Sequence, residues 1–99
     1  MASEASKLTK QVRDILTLSG WFVWRGGFAV VGGGRIGEKG APDLNAVKAG
    51  RYLGVEIKAQ STKDRMRPEQ IGFHEMLRLK GCTVLVVRTL KDIQEFLDR

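Results

Sequence analysis

Two carboxylates and an ammonium group in this chain are spaced so that they could surround one metal ion. Asp43 ends the run Gly40-Ala41-Pro42-Asp43, and the later run Gly54-Val55-Glu56-Ile57-Lys58 carries Glu56 and Lys58. Carboxylates held side by side repel each other, so their pairing favours a divalent cation between them. Mg²⁺ or Mn²⁺ suits this set, because these ions prefer oxygen ligands and need few protein carboxylates beside water and phosphate oxygens.

Such an ion would support a reaction at a phosphate group, since it polarises a phosphoryl oxygen, lowers the pKa of a bound water and stabilises the leaving group. Lys58 follows Glu56 by two residues and therefore lies on the same face of a strand, where it could orient that water or the scissile phosphate. The alternative interpretation is a surface hairpin with solvated charges, because so short a pattern often arises by chance.

The residues around this motif predict the hairpin that would assemble it. Residues 53–59 alternate between apolar and polar side chains, which is typical of a strand, and residues 43–47 form a second short run. The segment 48–51 between them has the length and the glycine of a hairpin turn. In an antiparallel hairpin the start of the first strand lies opposite the end of the second, so we expect Asp43 beside the Glu-x-Lys pair.

The rest of the chain predicts an α/β fold in which helices flank a mixed β-sheet. The hairpin is preceded by an amphipathic helix over residues 3–19 and an aromatic strand over 21–25. It is followed by a helix over 68–80, an apolar strand over 83–87 and a last helix over 89–97. Because a helix connects the Glu-x-Lys strand to the last strand, these two strands are expected to run parallel.

The glycine-rich segment 26–40 holds seven of the twelve glycines, which predicts a long flexible loop near the substrate. Within it, residues 32–37 match the pattern G-x-G-x-x-G. A dinucleotide site is nevertheless not expected, because that fingerprint must open a helix, whereas a proline and a strand follow here. We therefore expect no nucleotide cofactor.

His74 is the only histidine of the chain, and its ordinary pKa would suit a general base. It has no partner at ligand spacing, so we expect a half-buried or surface position for it. The helix that carries it is expected to bury some combination of its apolar side chains, which are Ile71, Phe73, Met76 and Leu77.

Together these motifs resemble the PD-(D/E)xK nucleases, and among them the small stand-alone VRR-Nuc domains of phages and bacteria. The resemblance covers nearly the whole chain and is carried by Val23-Trp24-Arg25, by Arg35 to Asp43, by Gly54 to Lys58 and by Pro68-Glu69-Gln70. It implies a restriction-endonuclease-like αβββαβα core, with residues 1–99 forming a single nuclease domain.

The resemblance also implies roles for individual residues. It makes Asp43, Glu56 and the backbone carbonyl of Ile57 ligands of the metal ion. It places Lys58 at the attacking water and lets Gln70 steady the site.

Many members of the superfamily add an acidic ligand from the first helix, and here that residue would be Glu4. The alternative is a carboxylate that stabilises the first turn of the helix through its dipole. The resemblance further predicts a small capping residue before Pro68, where this chain has Arg67. Arg67 is therefore a candidate for a phosphate contact.

The formal net charge of +6 and the pI near 9.9 favour a polyanionic partner, although a basic protein need not have one. Each candidate for a contact to DNA phosphates could instead be a solvated surface side chain. The candidates are Arg25, Arg35, Lys39, Lys63, Arg65 and Arg67. The sequence contains no helix-turn-helix, zinc-finger or RNP-like pattern, which favours recognition of DNA shape over recognition of a base sequence.

Together with these patterns, the resemblance implies a Mg²⁺- or Mn²⁺-dependent DNA endonuclease, which we expect to prefer branched DNA such as a four-way junction. Cutting two strands of a junction would require a twofold homodimer. The alternatives are a non-catalytic DNA-binding protein of the same fold and a sequence-specific restriction-type endonuclease.

Because Cys82 is a lone cysteine, no internal disulfide can form. The lack of a long apolar run or signal peptide predicts no membrane span and a cytoplasmic location in a bacterium or phage-infected host.

Overall fold

Nine helices and strands make up the part of the chain that the computed structural model describes, which is residues 3–27, 29–32, 34–60 and 65–99. In chain order they are α1 (Glu4–Leu18), β1 (Phe22–Arg25), β2 (Ala29–Val31), β3 (Gly34–Ile36), β4 (Leu44–Lys48), β5 (Arg51–Ile57), α2 (Pro68–Leu79), β6 (Thr83–Val87) and α3 (Leu90–Leu97). The predicted α/β fold is confirmed. None of the helices in these ranges is both long and apolar enough to span a membrane.

A four-stranded mixed sheet in the order β1-β4-β5-β6 forms the centre of the fold. β4 pairs antiparallel with β1 and with β5, whereas β5 and β6 run parallel, as predicted from the helix between them. A backbone hydrogen bond of 3.0 Å from Lys58 N to Val87 O continues the parallel pairing beyond the end of β5.

The apolar core lies on the face of the sheet that α1 and α3 cover. Alternate residues of β5 point into this core, so the intervening Glu56 points to the opposite face, toward α2. Each fully buried aliphatic side chain of the core stabilises the fold by about 1.5–3 kcal/mol. The core comprises Leu8, Val12, Leu16, Trp21, Val23, Leu44, Ala46, Leu53, Val55, Ile57, Val87 and Ile93.

The glycine-rich segment is not a plain loop, so the prediction of a long loop over residues 26–40 was wrong. β2 and β3 pair antiparallel within it, from Ala29 opposite Ile36 to Val31 opposite Gly34. Two physical features explain the hairpin. The β-branched valines of β2 favour an extended chain, and Gly32 adopts a φ of 52° in the turn.

The side chain of α2 that is fully buried against the sheet is His74, and not one of the apolar side chains whose burial was predicted. Ile71 and Met76 are 46% and 57% exposed, and Phe73 and Leu77 are only half-buried. His74 instead is buried, with 1% of its surface exposed, so the prediction of a half-buried or surface histidine was wrong. The reason is that the sheet presents a carboxylate, not an apolar side chain, at this position.

Candidate active site

The β4–β5 hairpin brings Asp43 to the end of β5. Its register pairs Leu44 with Val55, so the residue before Leu44 lies beside Glu56. Asp43 Oδ2 accepts a hydrogen bond of 2.8 Å from the backbone N–H of Ile57. This bond holds the carboxylate at the strand end, in the position that the predicted hairpin requires.

One cavity of about 290 Å³ contains all four side chains that were predicted to be catalytic. Three acidic and three basic side chains line it, so it is a site of mixed charge and not an acidic patch. Of the predicted metal ligands, all but Glu4 border it. The lining residues are Lys39, Gly40, Ala41, Asp43, Glu56, Ile57, Lys58, Arg67, Glu69 and Gln70.

Glu56 and Lys58 are both almost fully buried, with 2% and 4% of their surface exposed. Removing charged groups from water costs several kcal/mol per ion. A partner of opposite charge with well-formed hydrogen bonds offsets about as much. Lys58 Nζ donates a hydrogen bond of 2.9 Å to Gln70 Oε1. The same oxygen accepts a 2.9 Å bond from the backbone N–H of Arg67, which fixes the amide in the first turn of α2. These are the contacts that the predicted steadying role of Gln70 requires.

His74 reaches the same group of side chains from one turn further along α2. Its Nε2 lies 3.2 Å from Glu56 Oε1, and both side chains are buried. Burial lowers the pKa of His74, and the positive charges of Arg78 and Lys58 lower it further, against a smaller opposing effect of Asp43.

The contact between His74 and Glu56 was missed at the level of sequence. The signal that could have revealed it is the spacing of Gln70 and His74, which are four residues apart and therefore share one face of α2. If Gln70 points toward the strand that carries Glu56, His74 must point the same way.

Gly40 allows the loop before Asp43 to approach the start of α2. Its φ is 90°, and a Cβ at this position would lie 2.3 Å from the carbonyl oxygen of Glu69 and 3.1 Å from the backbone nitrogen of Gln70. No side chain fits in this space without moving the helix. The glycine therefore sets the distance between the Asp43 loop and the Gln70 turn.

Comparison with known proteins agrees with this architecture. No protein-family model matches the sequence, and no curated protein matches it significantly. A solved structure described as a VRR_NUC domain superposes on the chain with a TM-score of 0.78, at 24% sequence identity, over 99% of this chain and 98% of that one. The chain has the VRR_NUC fold. At this identity the likeness shows the fold alone, so the roles of individual residues rest on their geometry.

The donor set at the cavity of this VRR_NUC fold suits a hard cation. Asp43 and Glu56 border the cavity together with Ile57, whose carbonyl is the third predicted ligand. Within the described ranges, no group of three or more His, Cys, Asp or Glu side chains could hold a metal ion. A closed zinc site needs four such ligands, whereas Mg²⁺ is held by one or two carboxylates and keeps several waters. The residues present therefore fit Mg²⁺ or Mn²⁺.

Glu4 lies apart from this cavity. Its Oε1 accepts a hydrogen bond of 3.1 Å from the backbone N–H of Gln60, so it connects the first turn of α1 to the chain that follows β5. Glu4 is not among the residues that line the cavity of Asp43 and Glu56, and its role as a metal ligand stays a prediction. Its position in the first turn of α1 agrees with the alternative based on the helix dipole.

The residues predicted to contact DNA differ in their relation to the cavity. Lys39 and Arg67 line it. Arg65 is exposed just before α2. Lys63 and the side chain of Arg35 lie outside the described residues.

Arg25 extends the basic lining toward α1 of the VRR_NUC fold. It borders a cavity of about 240 Å³ that shares Asp43 and Ile57 with the cavity lined by Glu56 and Lys58. It also borders a further cavity of about 220 Å³, together with Lys10 and Arg13 of α1. These two α1 cations were missed, because only the packing of α1 beside β1 brings them to Arg25.

Proposed function

We propose that this protein is a nuclease of the VRR-Nuc family that uses Mg²⁺ or Mn²⁺ to hydrolyse phosphodiester bonds in DNA. The observation that carries the proposal is the cavity in which Asp43 and Glu56 lie beside Lys58. A purely structural hairpin gains little from a buried carboxylate and a buried ammonium at its open end, because such charges are costly to desolvate. The VRR_NUC fold supports the same conclusion.

Asp43, Glu56 and the carbonyl of Ile57 would hold the ion. When bound, it would supply a Lewis acid for the phosphoryl oxygen and would lower the pKa of a water. The hydrogen bond from Ile57 N–H already orients the Asp43 carboxylate. Preorganised ligands of this kind lose less conformational freedom when they bind.

Lys58 would stabilise the charge that develops on the phosphate or orient the attacking water. Its side chain is buried and tied to Gln70, so it lacks the freedom of a surface lysine. A fixed donor stabilises a transition state more than a mobile one, since it needs no reorganisation at the moment of reaction.

The DNA backbone would cross the site between two groups of cations. Lys39 and Arg67 lie on the α2 side, and Arg25 lies on the α1 side. The formal net charge of +6 supports binding to a polyanion in spite of the carboxylates at the centre. Contacts of this type recognise phosphates and carry little base-sequence information.

We further propose branched DNA as the substrate and a homodimer as the active form. The described residues of one chain form one cavity, of about 290 Å³, in which Asp43, Glu56 and Lys58 lie together. Cutting two strands of a four-way junction therefore needs two copies of the chain related by a twofold axis.

A cleavage assay with four labelled DNAs tests the proposal. Four-way junction, flap, splayed arm and linear duplex would each be incubated with Mg²⁺, Mn²⁺ or EDTA. Wild type should cut at least one branched DNA with a divalent metal and none with EDTA. The variant Lys58→Met should be slower by about 100-fold or more. Its matched control is Lys91→Met, since Lys91 is an exposed lysine of α3 paired with Glu95 at 3.7 Å.

Each alternative has its own outcome in this assay. DNA binding that is equal in EDTA and never followed by cleavage would favour a non-catalytic binding protein. Cleavage at one short sequence in linear duplex would favour a restriction-type enzyme. Light scattering at assay concentrations tests the homodimer, and a monomer that cuts both strands of a junction would contradict it.

A further inference from the structure

We infer that His74 is a positioning residue, which holds the Glu56 carboxylate in the orientation that binds the divalent cation. The inference rests on the proposed metal site and deepens it. Its basis is the hydrogen bond between His74 Nε2 and Glu56 Oε1, 3.2 Å long, between side chains that are 1% and 2% exposed.

The hydrogen-bond pattern around His74 selects one form of its ring. Among the described residues, Nδ1 is buried and has no hydrogen-bond partner. A proton on Nδ1 would leave an orphaned N–H donor in the interior, which folded proteins rarely tolerate. The neutral ring with its proton on Nε2 avoids this, and it donates that proton to Glu56 Oε1.

This bond restrains the direction in which Glu56 presents its oxygens. With Oε1 held by a side chain of α2, rotation of the carboxylate would break a buried hydrogen bond. Carboxylates that bind metal ions are commonly held in this way by a hydrogen-bond partner behind them. α2 thereby contacts both charged groups at the end of β5, through Gln70 on Lys58 and through His74 on Glu56.

Packing alone does not explain a histidine at this position. α2 leaves Ile71 and Met76 largely exposed while it buries an imidazole. A helix selected only for contact with an apolar sheet would bury those side chains, because burying a polar ring is unfavourable unless it is hydrogen-bonded. The bond to Glu56 supplies that compensation.

Two variants of similar size separate the hydrogen bond from packing. Gln and Met are both unbranched and have similar helix propensities, but only Gln can donate to Glu56. Mn²⁺ binding would be measured directly without DNA, from the electron paramagnetic resonance signal of free Mn²⁺, for wild type, His74→Gln, His74→Met and Glu56→Gln. Circular dichroism of the metal-free proteins would establish that each variant is folded.

The expected result is a Mn²⁺ dissociation constant that rises by about 10- to 100-fold in His74→Met. His74→Gln should stay within about threefold of wild type, because the amide restores the donor. If His74→Met does not fold, the Mn²⁺ affinity of His74→Gln still tests the inference. A loss of affinity in His74→Gln as large as that in Glu56→Gln would overturn it. Equal affinity in wild type and His74→Met would also overturn it, as would equal weakening in both His74 variants.

The measurement distinguishes this inference from the proposed function. A wild type that binds no Mn²⁺, with or without DNA, refutes the metal site and with it both proposals. A wild type that binds Mn²⁺ and cuts DNA, with a His74→Met variant of unchanged affinity, refutes only the positioning role. In the cleavage assay His74→Met should need more metal for half-maximal rate, and saturating metal should recover most of kcat.

Discussion

Lys58 Nζ and Gln70 Oε1 are joined by a hydrogen bond of 2.9 Å, which connects the residue after β5 to the first turn of α2. Gln70 Oε1 accepts a second bond from the backbone N–H of Arg67, so one oxygen caps the helix and anchors the ammonium. The position of the proposed catalytic lysine therefore depends on the start of α2.

Replacing Gln70 tests this dependence. In Gln70→Met, Lys58 loses its anchor, and we expect kcat to fall by up to about 100-fold because a small displacement of a catalytic group is costly. The free energy of unfolding should fall by about 1 kcal/mol through loss of the cap at Arg67. Gln70→Glu is the control, since it keeps an acceptor for both groups and should retain the stability. Steady-state kinetics and urea unfolding measure the two effects, and a normal kcat in Gln70→Met would contradict the first.

Gly40 provides a prediction about the seating of α2. Gly40→Ala would place a methyl group 2.3 Å from Glu69 O at a φ of 90°, whereas the same change at Gly50, at a φ of 76°, meets no atom within 4 Å. We expect Gly50→Ala to cost about 1–2 kcal/mol through backbone strain alone. Gly40→Ala should cost a further 1–3 kcal/mol, roughly the penalty of overpacking, and should lower activity. Equal unfolding free energies for the two variants would show that the contact with α2 is unimportant.

The hairpin was predictable from the sequence because its determinants are local. Ala49 and Gly50 both adopt positive φ, 51° and 76°, in the two-residue turn between β4 and β5. A turn of fixed length sets the register, and the register places Asp43 beside Glu56. Lys58 then follows from the alternation of the strand.

The contacts of α2 and α1 with the site were not predictable in the same way. The burial of His74 depends on which face of α2 meets the sheet. The apolar pattern of that helix predicted only that it buries some combination of Ile71, Phe73, Met76 and Leu77, of which Phe73 and Leu77 are half-buried and the other two are exposed. Arg13 reaches Arg25 only because α1 packs beside β1. Both relations join distant segments, and the apolar pattern of one helix does not specify how these segments pack.

Tyr52 gives a prediction about pH. Burial raises the pKa of its phenol above 10.0, and the Cys82 thiol raises it further; the hydroxyl also donates a 2.6 Å hydrogen bond to Asn45 Oδ1. In the unfolded chain the phenol ionises near pH 10, whereas in the folded chain it ionises at a higher pH. Between these two pKa values only the unfolded chain loses the proton, so a rise in pH favours unfolding. The contribution of Tyr52 to stability should be complete below pH 10 and decline above it.

This shift can be measured without ambiguity because Tyr52 is the only tyrosine of the chain. The phenolate absorbance at 295 nm should rise with a midpoint above pH 10 in the folded protein and near pH 10 in urea. The unfolding free energy of wild type should fall more steeply above pH 10 than that of Tyr52→Phe. Identical midpoints in the folded and unfolded protein would contradict the prediction.

Binding and removal of the proposed metal ion should change the stability of the protein. A ligand that binds only the folded state stabilises it by about 2.7 kcal/mol at a free concentration one hundred times its Kd. We therefore expect Mn²⁺ to raise the Tm of wild type and EDTA to reverse the rise, whereas Glu56→Gln should show no rise. Glu75→Gln is the matched control, since Glu75 is an exposed acid on α2. A Tm of Glu56→Gln that responds to Mn²⁺ as wild type does would remove Glu56 from the metal site.

Arg25 and Arg13 should each account for a measurable part of the salt dependence of DNA binding. Both line the cavity of about 220 Å³ next to the site, where a DNA backbone crossing Asp43 would continue. Each phosphate contact adds about 0.9 to the slope of log K against log salt concentration for duplex DNA.

The experiment would be done in Ca²⁺, which we expect to permit binding without cleavage. Arg25→Met and Arg13→Met should each lower that slope by roughly 0.9, and their double variant by about twice as much. Arg99→Met, at the opposite end of β5 beside Arg51, is the control and should leave the slope unchanged. A slope that falls equally in all three single variants would mean that the loss of net charge, and not a path along α1, determines the binding.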